Sequence, residues 1–113
     1  MNSSLSPETF AKIEMHVGKI IKAESFPKAN KPAYLVWVDL GPAIGIRKTS
    51  AQITERYSIE CLVGQMVVCV TNFPVKQIAN IQSECLLLGA LDEQNGTALL
   101  QVPMDVPLGS RIA

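Results

Sequence analysis

Short runs rich in β-branched residues, each closed by glycine, proline or polar turn residues, constrain the fold of this chain more than any other feature. The clearest run covers residues 34–40 and stops at Gly41 and Pro42. Residues 66–73 are almost all apolar and end at Pro74, which indicates a strand buried in the middle of a sheet. These runs predict a protein built mainly of β-strands.

The further predicted strands have a similar composition and cover residues 17–25, 44–50, 84–90 and 97–102. Within residues 50–57, Ile53 and Tyr57 are four apart, which predicts a short helix with one apolar face. Three strands, a helix and two or three more strands are typical of a small, partly open barrel of the OB type. A β-sandwich would need more strands at even spacing and no helix in mid-chain. The predicted fold is therefore all-β, a five-stranded OB-fold barrel with a short helix between strands 3 and 4.

Both ends of the chain are predicted to lie outside this barrel. Ser6 as N-cap and Pro7 in the first turn predict a short N-terminal helix over residues 6–13, with Thr9 where a capping box has its Glu. The C-terminal extension, residues 103–113, has apolar residues at even spacing, on one face of an extended tail: Met104, Val106, Leu108 and Ile112. An exposed face of this kind predicts that a twofold partner covers it.

Composition and charge exclude several classes of protein. With 113 residues, 48% of them hydrophobic, the chain fits one globular domain and is too apolar to be disordered. Ten basic and ten acidic residues leave a net charge of +0, which excludes a strongly basic nucleic-acid binder but allows a local basic patch. The apolar runs are too short to span a membrane, and no signal peptide is visible, so we expect no membrane insertion.

The sequence lacks the residue groupings that most enzymes and metal sites need. His16 is the single histidine, and no C-x-x-C pair, Ser/His/Asp grouping or phosphate-binding glycine loop occurs. We therefore expect no catalytic activity, no metal and no cofactor. The cysteines, Cys61, Cys69 and Cys85, are odd in number, which indicates a reducing, cytoplasmic location. Cys69 and Cys85 lie in apolar runs and are predicted to be small core residues.

Positive charge is concentrated in the first half of the chain. Residues 1–56 carry eight basic and five acidic groups, whereas residues 57–113 carry two and five. The candidate RNA-binding residues are the basic groups expected near the ligand face of an OB barrel: Lys19, Lys28, Lys31, Arg47, Lys48 and Lys76. Adjacent Arg47 and Lys48 must face opposite sides of a strand, so only one can serve a given face. The alternative is that these groups only keep the protein soluble.

A second candidate site brackets the loop that follows the apolar strand. Its six residues combine apolar surface, one cation and hydrogen-bonding groups: Asn72, Phe73, Pro74, Lys76, Ser83 and Glu84. Such a mixture suits an unfolded polypeptide, and the negative charge of Glu84 opposes phosphate. Asn72 and Ser83 could instead close the loop by bonding its own backbone, and Phe73 could be a core residue. Trp37, on a strand, is expected to face the core.

Motifs spread over residues 13–113 resemble the tRNA-binding domain, an OB-fold module attached to some aminoacyl-tRNA synthetases and also found free-standing. They include Val17-Gly18-Lys19-Ile20 and Asn72-Phe73-Pro74 followed by Ser83-Glu84. Residues 31–34, 50–57 and 72–79 are similar, more narrowly, to the CsaA-type export chaperones. The resemblance implies a homodimer whose N-terminal helix, within residues 1–16, and tail form the contact. It also implies binding of unfolded preproteins for the export machinery, and of tRNA by shape.

The chain departs from the tRNA-binding pattern where that pattern is basic. Where the family pattern has Lys, Arg and Gly, this chain has Gln77, Ala79 and Asn80, and where the pattern has Arg, it has His16. Each phosphate contact that is lost lowers the affinity for nucleic acid and its dependence on salt. The predicted function is therefore a CsaA-like protein-export chaperone that binds tRNA weakly. A dedicated, structure-specific tRNA-binding protein is the alternative.

Overall fold

The computed structural model describes residues 4–113. Over these residues the chain forms two short helices and nine strands: α1 (Pro7–Ala11), β1 (Met15–Ser25), β2 (Tyr34–Asp39), β3 (Ile46–Ala51), α2 (Ile59–Leu62), β4 (Met66–Val70), β5 (Lys76–Ile78), β6 (Ile81–Ser83), β7 (Leu86–Leu87), β8 (Gly89–Ala90) and β9 (Ala98–Leu99).

Five strands form one antiparallel sheet in the order β3-β2-β1-β4-β7. The long β1 pairs with β4 through its first half and with β2 through its second half, and a bulge between Ile20 and Lys22 bends it between them. The sheet curls until Glu84, which follows β6, meets β3. There the Glu84 N–H donates to the Lys48 carbonyl at 2.8 Å. This nearly closed barrel confirms the predicted OB fold.

The alternation of side chains along each strand decides what lies inside the barrel. In β2, Val36 and Val38 are fully buried, and Trp37 between them points outwards and is half-buried. The prediction that Trp37 belongs to the core is therefore wrong. On the outer face the Lys22 Nζ lies 4.6 Å from the centre of the Trp37 ring, a cation–π contact.

A buried hydroxyl stabilises the seam between β3 and the segment that follows β6. Thr49 is 1% exposed, and its Oγ1 donates to the Cys85 carbonyl at 2.7 Å and lies 2.9 Å from the Ser83 Oγ. The Ser83 hydroxyl in turn accepts the Ser50 N–H at 3.2 Å. Side chains thus supply several hydrogen bonds that close this seam of the barrel.

Thr49→Val should lower the free energy of unfolding by about 1–3 kcal/mol, because the substitution keeps the shape but leaves the Cys85 carbonyl without this donor. Thr49→Ser is the matched control: it retains the hydroxyl and loses one methyl group, which costs about 0.8 kcal/mol. Urea unfolding curves of the two variants give the comparison. If the Val variant is as stable as the Ser variant, the seam does not depend on this hydroxyl.

The mid-chain helix lies later in the chain than predicted. Residues 50–57 contain the end of β3 and a turn, and α2 begins after them. Ser58 is the N-cap of α2, and its hydroxyl accepts the Cys61 N–H at 3.4 Å. Ile53 is nonetheless buried in the core. The Tyr57 hydroxyl accepts the Leu99 N–H at 2.8 Å. The apolar spacing therefore predicted the burial of this segment correctly but not its conformation.

The N-terminal helix is confirmed but shorter than predicted. Ser6 is its N-cap, accepting the Thr9 N–H at 3.1 Å, and Pro7 occupies its first turn. The helix ends at Ala11, and Met15 and His16 already belong to β1.

The C-terminal tail packs against its own barrel rather than standing free. The Val17 N–H donates to the Ser110 carbonyl at 2.9 Å, the Gly109 N–H to the Val17 carbonyl at 2.8 Å, and the Ile112 N–H to the Met15 carbonyl at 2.9 Å. Gly109, at a φ of 89°, approaches so closely that an added Cβ would lie 2.7 Å from the Leu40 carbonyl oxygen. The tail extends the sheet beside β1, where β2 has ended.

The loop predicted over residues 73–83 contains a hairpin, β5 and β6, which the sequence pattern did not indicate. Its two-residue turn is Ala79-Asn80, and Ala79 adopts the left-handed conformation at a φ of 50°. This conformation is uncommon for alanine, because its Cβ crowds the main chain there.

Cys69 and Cys85 are buried in the barrel core, as predicted. A hydrogen bond with the Cys85 thiol and burial raise the pKa of the Cys69 thiol, so Cys69 stays protonated and unreactive at neutral pH. Among residues 4–113, no helix is long and apolar enough to cross a membrane.

Candidate ligand-binding groove and basic face

An apolar groove of about 300 Å³ lies between β3 and the β5–β6 hairpin. Four of the six residues proposed for peptide binding line it: Phe73, Pro74, Lys76 and Ser83. Ile78 and Leu86 also line the groove. Phe73 is 54% exposed, so it is a surface residue rather than a core residue.

Asn72 lies outside this groove. Its Oδ1 accepts the Glu14 N–H at 3.0 Å and its Nδ2 donates to the Lys12 carbonyl at 2.8 Å. It therefore ties the segment between α1 and β1 to the end of β4. These bonds also exclude the alternative that the Asn72 side chain closes its own loop.

Glu84 belongs to the barrel seam and faces a different pocket. Its Oε1 accepts the Lys48 N–H at 2.9 Å. It lines a pocket of about 370 Å³ that also contains Trp37 and Asn80. The structure thus brings four of the six proposed residues together and separates Asn72 and Glu84 from them.

Arg47 and Lys48 point to opposite sides of β3, as their adjacency predicted. Arg47 lies on the inner side, where its guanidinium donates to the Thr71 carbonyl at 2.6 Å and more weakly to the Glu84 carbonyl at 3.4 Å. These bonds hold the end of β4 against the seam, so Arg47 is engaged inside the fold. Lys48 is left to serve the outer face.

The outer face of β1, β2 and β3 carries a row of three side chains, Lys22, Trp37 and Lys48. The strand register pairs Lys22 with Trp37 and Trp37 with Lys48, which places neighbouring side chains about 5 Å apart. Glu24, 3.1 Å from Lys22, offsets part of the positive charge. Sequence analysis missed this row because the strand register cannot be read from residue spacing alone.

The remaining basic candidates are dispersed. Lys19 is half-buried on β1, whereas Lys28 and Lys31 are exposed in the connection between β1 and β2. Lys76 lies at the apolar groove. The six basic residues therefore do not form one continuous patch on a single copy of the chain.

His16 joins the tail to the barrel. Its Nδ1 lies 2.9 Å from the Gly109 carbonyl oxygen and its Nε2 lies 3.2 Å from the Glu14 carboxylate. Within the part of the chain that the structure describes, no group of three or more His, Cys, Asp or Glu residues could hold a metal ion.

A second apolar cluster lies outside the barrel, on the other face of β4. Met15, Val68 and Val70 form its buried centre, and the surrounding residues are half-buried: Ile13, Leu88, Val102 and Ile112. Leu86, which pairs with Val70, and Leu100, whose N–H bonds the Leu88 carbonyl, are exposed, and so is Met104, two residues after Val102. We call these three side chains the outer apolar patch.

Family comparison places the chain among binding domains. A family described as "Putative tRNA binding domain" matches residues 15–111, so the chain belongs to the tRNA-binding-domain family. Among curated relatives, the methionine–tRNA ligase of Pyrococcus horikoshii is 37% identical over 105 residues, which are 93% of this chain and 14% of that protein. The enzyme of Nanoarchaeum equitans is 38% identical over 91% of this chain and 13% of its own length. The chain thus spans about one seventh of these relatives.

Solved structures extend the similarity to chaperones. The chaperone CsaA of Bacillus anthracis has a TM-score of 0.91 and 39% identity, covering 98% of this chain and 100% of that one. The CsaA chaperone protein of Picrophilus torridus has a TM-score of 0.91 and 40% identity, covering 97% and 100%. A MetRS-related protein of Pyrococcus horikoshii follows, with a TM-score of 0.87, 28% identity and coverage of 99% and 100%. The fold and family are those of a tRNA-binding or chaperone domain, not of a catalytic one.

Proposed function

We propose that this chain is a homodimeric, CsaA-like chaperone that captures unfolded polypeptide and binds tRNA weakly. The carrying observation is the groove between β3 and the hairpin, where Phe73 is half-exposed beside Pro74 and Leu86, and Lys76 is the one charged lining residue. Two CsaA chaperones match nearly the whole chain, which supports the same conclusion.

The chemistry of this groove suits polypeptide better than nucleic acid. An unfolded chain offers apolar side chains, which bury the exposed ring of Phe73, and unpaired backbone groups, which hydrogen-bond to polar side chains. A phosphate backbone offers repeated negative charge, for which the groove provides a single cation, Lys76. A chaperone for preproteins awaiting export would act in the cytoplasm and deliver its clients to the export machinery.

The proposed dimer buries the outer apolar patch against a second copy of the chain. Leu86, Leu100 and Met104 lie beside a cluster in which Val68 and Val70 are buried. Leu86 also lines the groove, so in the proposed dimer the groove borders the contact. Exposed apolar side chains grouped in this way mark interaction surfaces in soluble proteins. In this proposal residues 1–113 are one domain, with α1 and the tail beside the dimer contact.

The second candidate function, tRNA binding without chaperone activity, is favoured by the row of Lys22, Trp37 and Lys48. An aromatic ring can stack on a base while the cations on either side of it contact phosphates. Glu24 and Glu84 lie near these lysines and reduce the attraction for phosphate. We therefore propose RNA binding as the weaker of the two activities.

Aggregation of a chemically denatured client protein tests the chaperone proposal. The protein, at a few-fold molar excess, should slow the rise in light scattering when the client is diluted from denaturant. Serum albumin at the same mass concentration is the control for crowding. If scattering rises equally fast with both proteins, the chaperone proposal fails and the tRNA-binding function is the better one.

Binding of tRNA should weaken as salt concentration rises, with little preference for sequence, because the contacts are to phosphates. Lys31→Ala should lower the affinity and reduce the slope of log K against log salt by about one unit or less. Lys12→Ala, which removes another exposed lysine at the end of α1, is the matched control and should change neither. Filter binding at several salt concentrations provides the measurement, and affinity independent of salt would contradict the prediction.

A further inference from the structure

The apolar groove continues into two further pockets that follow the edge of β3. The middle pocket, of about 370 Å³, shares Ser50 and Ile78 with the apolar groove. The distal pocket, of about 460 Å³, shares Lys31 and Gln52 with the middle one. The shared lining residues make the three pockets one channel, which we call the edge channel. Its lining includes Thr49 and Ser50 of β3 and, after the end of that strand, Gln52 and Thr54.

The main chain is open at one residue of this channel, Gln52, just beyond the end of β3. The N–H groups of Lys48 and Ser50 point away from β2 and bond the Glu84 and Ser83 side chains. The alternation of an antiparallel strand places the main-chain groups of Gln52 on the same edge. Within residues 4–113, neither the N–H nor the carbonyl of Gln52 has a hydrogen-bond partner. Gln52 can therefore form the two main-chain hydrogen bonds of one β-bridge with an added segment.

Charge changes sign along the edge channel. Lys76 stands at the apolar end and Lys31 at the middle, whereas Glu55 and Glu93 line the distal end. Lys31, Glu55 and Glu93 form no ion pair with any residue that the structure describes. Asp92, which also lines the distal end, is paired with Arg56 at 2.7 Å. The free charges are thus positive near the apolar groove and negative beyond it.

We propose that the edge channel binds an extended polypeptide segment, which pairs with the main chain of Gln52 just beyond β3, with an apolar residue in the groove, an acidic residue near Lys31 and a basic residue near Glu55 and Glu93. This inference rests on the proposed chaperone function and adds a charge order to it. Nucleic acid fits the channel poorly, because Glu55 and Glu93 would repel its phosphates at the distal end.

Fluorescein-labelled peptides of one composition test this order. Each carries one Leu, one Asp and one Arg in a Ser/Thr background, three residues apart. Two peptides have the order Leu–Asp–Arg, one from the N-terminus and one from the C-terminus. Two further peptides are the same except that Asp and Arg are exchanged. Fluorescence anisotropy with the wild-type protein should show one Leu–Asp–Arg peptide binding about three- to tenfold more tightly than its exchanged partner at low salt. At 0.5 M salt the ratio should fall below about two, because the charges are exposed.

The double variant Lys31→Glu/Glu55→Lys keeps the net charge of the protein and should reverse the preference. N-methylation of the peptide amide that faces the Gln52 carbonyl should weaken binding about three- to tenfold, whereas methylation of the amides on either side should not, because Gln52 supplies the one unpaired main-chain carbonyl of the channel. If tRNA competes for the channel while neither peptide order binds, the occupant is RNA and the inference is overturned.

The outcomes separate this inference from the proposed function. Equal binding of both charge orders, or equal effects of methylating the facing and the flanking amides, overturns the edge channel while client capture still supports a chaperone. Failure to slow client aggregation overturns the chaperone proposal itself, and the inference with it. Reversed preference in the double variant, with aggregation slowed by the wild type, supports both.

Discussion

Removal of residues 103–113 is expected to unfold the barrel rather than only to separate a dimer. The tail makes three main-chain hydrogen bonds with Met15 and Val17, at about 1 kcal/mol each, and its Ile112 packs on the outer cluster for about 1.5–3 kcal/mol. The loss of about 4–6 kcal/mol is a large part of the stability of a small domain. Sedimentation of this truncated chain therefore cannot test the proposed dimer, because unfolding and dissociation would occur together.

Thermal unfolding of the truncated chain, followed by circular dichroism, measures this effect. Met104→Glu is the matched control, because Met104 is exposed and its loss removes no tail hydrogen bond. This variant should keep the wild-type unfolding midpoint while shifting sedimentation from dimer to monomer. An unchanged midpoint after truncation would show that the tail contributes little to the barrel, and a Met104→Glu variant that stays dimeric would contradict the proposed contact.

Phe73→Ala should weaken client capture by about ten- to a hundredfold, because burial of a phenylalanine side chain against a bound segment contributes about 1.5–3 kcal/mol. Phe73 is half-exposed, so the unfolding midpoint should stay close to that of the wild type. Titration of a denatured client, read by the concentration that halves light scattering, measures the change.

Val63→Ala is the matched control for this effect. Val63 is 50% exposed, follows α2 and does not line the groove, so the substitution removes exposed apolar surface, smaller than that of Phe73, away from the groove. The control should capture clients like the wild type. Equal loss in both variants would mean that capture depends on exposed apolar surface in general and not on the groove.

Glu84→Lys does not test the groove, because Glu84 does not line it. The Glu84 carboxylate accepts the Lys48 N–H and its backbone pairs with the same residue, so the substitution disturbs the barrel seam. Glu84→Gln keeps an acceptor at that position while removing the charge. It is therefore the variant with which the effect of the charge on RNA binding is measured.

Local chemistry in the sequence determined most of the architecture. The β-branched runs and their Gly and Pro boundaries place the five barrel strands close to where the structure has them, because strand patterning reflects burial on one or both faces. The sequence also predicted the helix cap at Ser6 and the core positions of Cys69 and Cys85. The four groove residues, Phe73, Pro74, Lys76 and Ser83, come from one loop and were found together for that reason.

Strand register and chain closure were decided only in three dimensions. The outward direction of Trp37, the seam bonds of Glu84 and the link of Asn72 to Glu14 each join residues that are distant in sequence, and no residue type signals its distant partner. The tail illustrates the same limit. Its alternating apolar residues predicted a face covered by a twofold partner, whereas the structure shows the tail bonded to Met15 and Val17 of its own barrel, with Ile112 half-buried and Met104 exposed. Hydrophobic pattern specifies that a face is buried, whereas the partner depends on which surfaces the folded chain brings together.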